Sequence, residues 1–281
     1  MSLNLDARQV AMLREMHIRQ WSLPSKAAAH EQPNAAAPVA AQAPIQARIA
    51  APALPAPPAP LRTEHLPTPR APDTTYVRPE GVASMGWAAL QQTVAGCQAC
   101  KLCAGRTNTV FGAGPPPVEC DSAPSVDWLI VGEAPGENED LQGEPFVGQA
   151  GKLLDNMLRA VQLERGNKVF ITNVLKCRPP GNRNPQPDEV AQCQPYLRRQ
   201  IELLRPKIIL AMGRFAVQTV LADSVPDAAT APLGRLRGRV YRYQDTPVVV
   251  TYHPAYLLRN LPDKAKAWAD LCLALGVMRS G

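Results

Sequence analysis

The sequence predicts an α/β protein in three layers, with a mainly parallel central sheet flanked by helices and a disordered N-terminal extension in front of it. Short apolar runs that do not alternate with polar residues recur from residue 127 onward, and helical patterns separate them. Strands of this kind are buried on both faces, as in parallel sheets covered by helices. Residues 24–80, in contrast, contain thirteen of the chain's thirty prolines, which predicts a semi-extended linker.

Strands and helices are predicted to alternate along the C-terminal part of the chain. The predicted strands are runs rich in Val, Ile and Leu, at residues 127–133, 169–175, 207–213, 237–244 and 247–253. Helices are predicted where apolar residues recur every three or four positions, at residues 148–163, 187–205, 214–222 and 264–278. The carboxyl ends of parallel strands meet at one edge of a sheet, so we expect the polar residues that follow the strands to form the site.

The chain divides into three predicted regions. Residues 1–22 carry the pattern of a short amphipathic helix with Asp6 as its cap, residues 23–85 form the Pro- and Ala-rich disordered linker, and residues 86–281 form the globular domain. A helix on a long tether is typical of a segment that docks on a partner protein. A frayed helix, or one packed on its own domain, is the alternative interpretation.

Composition and charge limit the classes of function. The formal net charge of +6 suits a polyanionic partner, and segment 235–242 has four arginines and no acid, which fits either a solvated edge strand or a phosphate contact. The N-terminus lacks the apolar region of a signal peptide, and no apolar run approaches a membrane span. Seven cysteines, an odd number, disfavour a disulfide framework. We therefore expect a cytoplasmic monomer without a membrane partner.

Four of the cysteines stand at spacings that suggest a metal centre. Cys97 and Cys100 form a C-x2-C pair, and Cys177 and Cys193 form a C-x15-C pair far downstream. Thiolates are soft, strong ligands, so four of them in a reducing compartment indicate a bound metal or cluster. The segment around the second pair does not look like a zinc ribbon.

The loop at residues 132–151 is rich in both glycine and acidic residues, with five of each. It lacks the G-x-G-x-x-G pattern and the Lys-Ser/Thr pair of a phosphate-binding loop. Its carboxylates would also repel a nucleotide. The composition favours a loop shaped around a small neutral group, with carboxylates placed for catalysis.

Several motifs in order resemble the type 4 uracil-DNA glycosylases, the iron–sulfur members of the uracil-DNA glycosylase superfamily. The motifs are GEAPG-x3-D, GEPFVGQAGKLLD, ITNVLKCRPPGNRNP and HPAYLLR, and the resemblance covers about residues 90–279. It implies a central four-stranded parallel sheet and hydrolysis of the N-glycosidic bond of uracil in single- or double-stranded DNA. It also implies a [4Fe–4S] cluster on Cys97, Cys100, Cys177 and Cys193, with Cys103 too near Cys100 to match a family ligand.

The resemblance and the chemistry of uracil together suggest which residues bind the base. A flipped uracil needs an aromatic platform, for which Phe146 is the candidate. Asn173, at the end of a buried strand, has an amide that can accept from uracil N3–H and donate to O4. The backbone around Glu133 and Ala134 should complete the contacts to the base edge. His253 is placed to donate a hydrogen bond to uracil O2 and stabilise the leaving anion.

The residue that activates water is less directly indicated. In the best-known branch of the superfamily an Asp stands where this chain has Ala134. The local carboxylates are Glu133 and Glu139, and we expect Glu139 to act as the base while Glu133 shapes the pocket.

The segment after His253 suggests a DNA contact. An apolar wedge with a trailing Arg can fill the space left by a flipped base and hold a phosphate. The candidate residues for this segment are Tyr256, Leu257, Leu258 and Arg259. Arg178 and Arg183, near the cysteines, are candidates for further backbone contacts.

Three alternative functions stay open. A superfamily member that binds uracil-DNA covalently would need a His in the loop after Asn173, and the loop KCRPPGNRNPQPDE has none. A non-catalytic DNA-binding accessory protein would not need the pocket residues Phe146, Asn173 and His253 together. An iron–sulfur redox sensor is the third alternative, although the family's cluster ligands are structural.

Overall fold

The computed structural model describes residues 78–117 and 126–280. The helix predicted at residues 1–22 and all but the last eight residues of the predicted linker lie outside this part of the chain. Within it, no helix combines the length and the apolar character that a membrane crossing requires. The described region begins before residue 86, and Val82 is already a core residue with 5% of its surface exposed.

Five strands form one sheet, and their order in space is β2-β1-β3-β5-β4. The strands are β1 Trp128–Gly132, β2 Val169–Asn173, β3 Ile208–Met212, β4 Val240–Tyr243 and β5 Thr246–Thr251. All pairs are parallel except β4 with β5, which form an antiparallel hairpin at the sheet edge. The α/β prediction is confirmed. The sheet has the four parallel strands that were expected and one further strand, β4, which is antiparallel. An edge position suits β4, because its exposed side chains include Arg242.

Eight α-helices surround the sheet in the described part of the chain. They are α1 Trp87–Ala95, α2 Glu137–Gln142, α3 Gln149–Ala160, α4 Pro187–Leu204, α5 Arg214–Val220, α6 Leu233–Leu236, α7 Pro254–Arg259 and α8 Lys264–Ser280. The four predicted helices correspond to α3, α4, α5 and α8. Short 3-10 turns lie at Val82–Ser84, Lys101–Ala104, Pro180–Asn182, Pro226–Ala229 and Leu261–Asp263.

The core has two layers, one on each face of the sheet. Alternate residues of a strand point to opposite faces, so Leu129 and Val131 join one layer while Trp128 and Ile130 join the other. Helices α1, α4 and α5 supply the first layer, and α3, α7 and α8 supply the second. The sheet is therefore apolar on both faces, which explains why its strands read as unbroken apolar runs.

The ends of the four parallel strands meet at the carboxyl edge of the sheet. Glu133 follows β1, Asn173 ends β2, Gly213 follows β3, and His253 comes two residues after β5. The parallel pairing brings these ends together, and Gly132 and Asn173 are direct register partners.

Candidate active site

A cleft of about 580 Å³ opens at the carboxyl edge of the sheet. Its walls come from the four strand ends and from the loop between α2 and α3. The residues important here are Glu133, Ala134, Glu139, Phe146, Asn173, Arg183, Arg214, Tyr252, His253, Tyr256 and Arg259. The structure thus brings together every residue predicted to bind uracil or to take part in catalysis. Leu257, Leu258 and Arg178 are not among the lining residues.

Phe146 lies in the wall of the cleft, where the residue is 5% exposed and its backbone is in the left-handed region at φ 57°. Its ring centroid is 5.4 Å from that of His253, and the two planes are inclined by 31°. Two glycines make room for this residue. A Cβ atom at Gly132 would lie 2.5 Å from the ring, and one at Gly151 would lie 1.7 Å from the Phe146 carbonyl oxygen.

Asn173 presents a buried amide to the same cleft. The residue is 1% exposed, and its Oδ1 atom has no hydrogen-bond partner among the described residues. Buried polar atoms are almost always paired, so an unpaired acceptor in a cleft indicates a ligand that would satisfy it. The amide points toward the backbone of Gly132, where a Cβ atom would come within 2.4 Å of Oδ1.

His253 is the N-cap of helix α7, and its ring nitrogen Nδ1 accepts the backbone N–H of Ala255 at 3.2 Å. Burial of the ring, followed by the nearby positive charge of Arg259, lowers the pKa of His253 to about 4. The imidazole is therefore neutral at neutral pH. Because Nδ1 is an acceptor, the proton is on Nε2, which makes Nε2 a hydrogen-bond donor.

The two predicted carboxylates differ in their partners. Both oxygens of Glu139 are used by the loop: Oε2 accepts the N–H of Gly136 at 3.0 Å, and Oε1 accepts those of Val147 and Gly148 at 2.9 Å each. The Glu133 carboxylate has no hydrogen-bond partner among the described residues. Burial raises the pKa of Glu133 to about 7, and the charge of Arg214 opposes this shift.

The segment after His253, predicted to contact DNA as an apolar wedge, has some side chains in the core and others on the surface. Leu257 is 0% exposed and packs in the second core layer, so its predicted contact with DNA is corrected: it is a core side chain. The exposed apolar residues of this region are Leu258, at 41%, and Leu261, at 59%. Tyr256 stacks on Tyr252 with ring centroids 4.9 Å apart. Its hydroxyl donates to Asp263 at 2.6 Å.

The arginines in and near the cleft differ in how far neighbouring side chains engage their guanidinium groups. Arg183 makes two hydrogen bonds to the buried carboxylate of Glu189, at 2.9 and 2.6 Å. Arg178 donates to Asn182 at 2.8 Å. Arg259 and Arg214 are exposed at the rim and have no carboxylate partner within hydrogen-bond distance among the described residues. Arg214 was not among the predicted site residues. Its position two residues after the end of β3 could have indicated it.

The four predicted metal ligands line one small buried cavity, together with Cys103, Arg106 and Lys176. None of the described cysteines is in a disulfide. Arg106 donates to the Cys177 sulfur at 3.3 Å. Burial raises the pKa of Cys177 to about 11 and that of Cys193 to about 12, so their thiolates need a bound cation. In the part of the chain that the structure describes, no three His, Cys, Asp or Glu side chains converge on a single metal ion.

Comparisons with known proteins agree with this geometry. A family model described as the uracil DNA glycosylase superfamily matches residues 121–272. A type-4 uracil-DNA glycosylase of Sulfurisphaera tokodaii is 43% identical over 173 residues, which cover 61% of this chain and 75% of that protein. One from Archaeoglobus fulgidus is 45% identical over 166 residues, 58% of this chain and 78% of that protein. One from Pyrobaculum aerophilum is 37% identical over 191 residues, 66% and 92% respectively.

Proposed function

The chain belongs to the uracil DNA glycosylase superfamily, and we propose that it removes uracil from DNA by hydrolysing the N-glycosidic bond, which leaves an abasic site for repair. The observation that carries this proposal is the buried, unpartnered Oδ1 of Asn173 in a cleft beside the ring of Phe146. An amide in that position is suited to a planar base with a polar edge.

The base is recognised by its edge and by its face. Asn173 Oδ1 accepts a hydrogen bond from uracil N3–H, and its Nδ2 donates to O4. Cytosine presents an acceptor at N3 and a donor at C4, so the same amide orientation would face two mismatched groups. Phe146 supplies an apolar surface for stacking. The backbone at Ala134 completes the contacts at the edge of the cleft.

The leaving group is stabilised by His253. Cleavage of the glycosidic bond leaves negative charge on uracil, largely on O2. The neutral imidazole, with Nδ1 occupied by the Ala255 N–H, offers its Nε2–H to that oxygen. A donor fixed by the first turn of α7 needs little reorganisation as the charge develops.

Water is oriented by Glu133. The expected base, Glu139, uses both carboxylate oxygens on the loop backbone, whereas Glu133 lines the cleft with its carboxylate available. A carboxyl group with a pKa of about 7 is partly ionised at neutral pH and can accept a proton from water. We therefore assign the water-activating role to Glu133 and a loop-holding role to Glu139.

DNA is held at the rim, where the nucleotide must leave the stack to reach Asn173. Arg214 and Arg259 are available for phosphates, because neither has a carboxylate partner among the described residues. Leu258 and Leu261 are the exposed apolar side chains that can enter the space left by the base. Arg183 and Arg178 contribute less, since their guanidinium groups are engaged by neighbouring side chains.

Cys97, Cys100, Cys177 and Cys193 would hold a [4Fe–4S] cluster. The donor set fits, because buried thiolates need positive charge and all four line one cavity. A bound cluster would tie the segment around Cys97 to α4 and to the loop that follows Asn173.

An oligonucleotide with one central uracil tests the proposal. Purified protein should convert it to an abasic product that alkali cleaves at that position, while a matched cytosine oligonucleotide stays intact. Binding without cleavage would support the non-catalytic accessory alternative. A uracil-dependent complex that survives denaturing electrophoresis would support covalent binding. Either result overturns the proposed reaction.

A further inference from the structure

The backbone of Phe146 is contacted by a side chain from outside the cleft. Arg165, in the turn after α3, donates from Nη1 to the Pro145 carbonyl at 2.8 Å and from Nη2 to the Phe146 carbonyl at 2.6 Å. Its Nε donates to Asp155 at 2.6 Å. Resting on the proposed function, we propose that Arg165 is a positioning residue that fixes the base platform Phe146.

The conformation of Phe146 needs such support. Its φ of 57° lies in the left-handed region, which is unfavourable for a residue with a bulky side chain. Strained conformations persist where the surrounding structure determines them from several sides. Here the backbone at residues 145–148 is held from two sides, because Arg165 binds its carbonyls and Glu139 binds the N–H groups of Val147 and Gly148.

Arg165 acts only through this backbone. It is not among the residues that line the cleft, and it lies instead in a separate groove with Asp155. It therefore has no route to the base or to the reacting bond. Asp155 fixes the plane of the guanidinium, so that one planar fork meets two successive carbonyls. A lysine has no such fork and can reach at most part of this set.

A double-mutant cycle tests this role. We expect Arg165→Gln to lower single-turnover cleavage of a uracil oligonucleotide by about 10- to 100-fold, the scale for a displacement of about 1 Å at a reacting centre. Binding of an oligonucleotide without uracil should stay within about threefold. In a Phe146→Ala background, Arg165→Gln should change the cleavage rate by less than about threefold, because the platform is already missing.

Control variants separate positioning from folding. Arg159→Gln removes an exposed arginine whose hydrogen bond goes to Asn156, and it should behave as wild type. If Arg165→Gln does not fold, Asp155→Asn, which loosens the guanidinium without removing it, takes its place in the same cycle. The inference would be overturned if Arg165→Gln lowered the cleavage rate equally in the presence and absence of the Phe146 ring. It would also be overturned if Arg165→Gln and Asp155→Asn both cleaved at the wild-type rate. Failure of the wild-type protein to cleave would count against the proposed function itself.

Discussion

Gly132 and Asn173 are register partners at the ends of β1 and β2, and a Cβ atom on Gly132 would lie 2.4 Å from the Asn173 amide oxygen. The same Cβ atom would lie 2.5 Å from the Phe146 ring. The absence of a side chain at Gly132 thus allows the amide and the ring to lie this close to the end of β1. Gly132 is therefore predicted to determine the shape of the site, although it offers no functional group.

Gly132→Ala should greatly lower the rate of uracil excision without weakening the affinity for DNA. The added methyl must displace Asn173 or Phe146, and a shift of about 1 Å at a reacting centre can cost about 10²-fold in rate. Single-turnover cleavage and binding of undamaged DNA, measured separately, check this. Gly276→Ala, on α8 where a Cβ meets no atom within 4 Å, is the matched control. Equal rates for the two variants would contradict the predicted role of Gly132.

Asn173→Asp should reduce uracil excision by at least about 10²-fold, because the carboxylate has no donor for uracil O4 and repels it. Phosphate contacts are made elsewhere, so DNA affinity should be nearly unchanged. Asn167→Asp, at the opposite end of the sheet, supplies the control for a simple change of charge. Cleavage by Asn173→Asp at the wild-type rate would remove Asn173 from the base-binding set.

The sequence predicted those features that depend on local pattern. Unbroken apolar runs indicated the parallel strands, and strand ends then indicated the neighbourhood of Asn173 and His253. Features that depend on contacts between residues far apart in sequence could not be predicted from the local pattern. Leu257 reads like part of a wedge, but the turn of α7 directs it into the core. Likewise, nothing in the local pattern shows that Glu139 accepts hydrogen bonds from the loop backbone beside Phe146. Nor does the pattern show that Arg165 donates to the Phe146 carbonyl.

The rate of cleavage should increase with pH through about 7, the pKa of Glu133, because the ionised carboxylate accepts the proton from water. His253 should not contribute to this change, since its pKa of about 4 leaves it neutral throughout. Glu133→Gln should be slower by about 10²-fold at pH 8 and should lose the pH dependence. A pH–rate profile of the variant with the wild-type midpoint would show that another group titrates.

Glu133 should also affect stability in a pH-dependent way. Its pKa is raised in the folded protein, so its contribution to stability is present below its unfolded pKa of 4.5 and is lost as pH rises through about 7. Glu133→Gln cannot ionise and should therefore gain stability relative to wild type between these pH values. Denaturant unfolding at pH 4.5 and pH 8 measures the difference, which should be larger at pH 8.

Cys177→Ser should lose bound iron and the broad absorbance at about 400 nm that thiolate-bound clusters give. Cys103→Ser should retain both, although Cys103 lines the same cavity. Iron and sulfide analysis of anaerobically purified protein provides the measurement. Equal iron loss in both variants would mean that the ligand set differs from the four proposed cysteines, and stoichiometric zinc without sulfide would contradict the cluster.

His253→Ala should slow cleavage by about 10²- to 10³-fold, the scale for removing one donor to a developing anion. Substrate affinity should change little, because the anion forms only near the transition state. The variant also removes the cap that accepts the Ala255 N–H, so part of the loss could come from the first turn of α7. His253→Asn separates the two effects, because Asn is a good N-cap residue but its shorter side chain lacks the Nε2 donor.

Both variants should therefore be slow in single-turnover experiments at saturating enzyme, while His253→Asn should keep more of the wild-type thermal stability. A rate for His253→Asn within a few-fold of wild type would mean that His253 serves only as a helix cap. Weak binding with normal cleavage at saturation would instead assign His253 to the contact with DNA. Slow cleavage by both variants, with binding and the fold of His253→Asn preserved, supports a neutral imidazole that donates to the departing uracil.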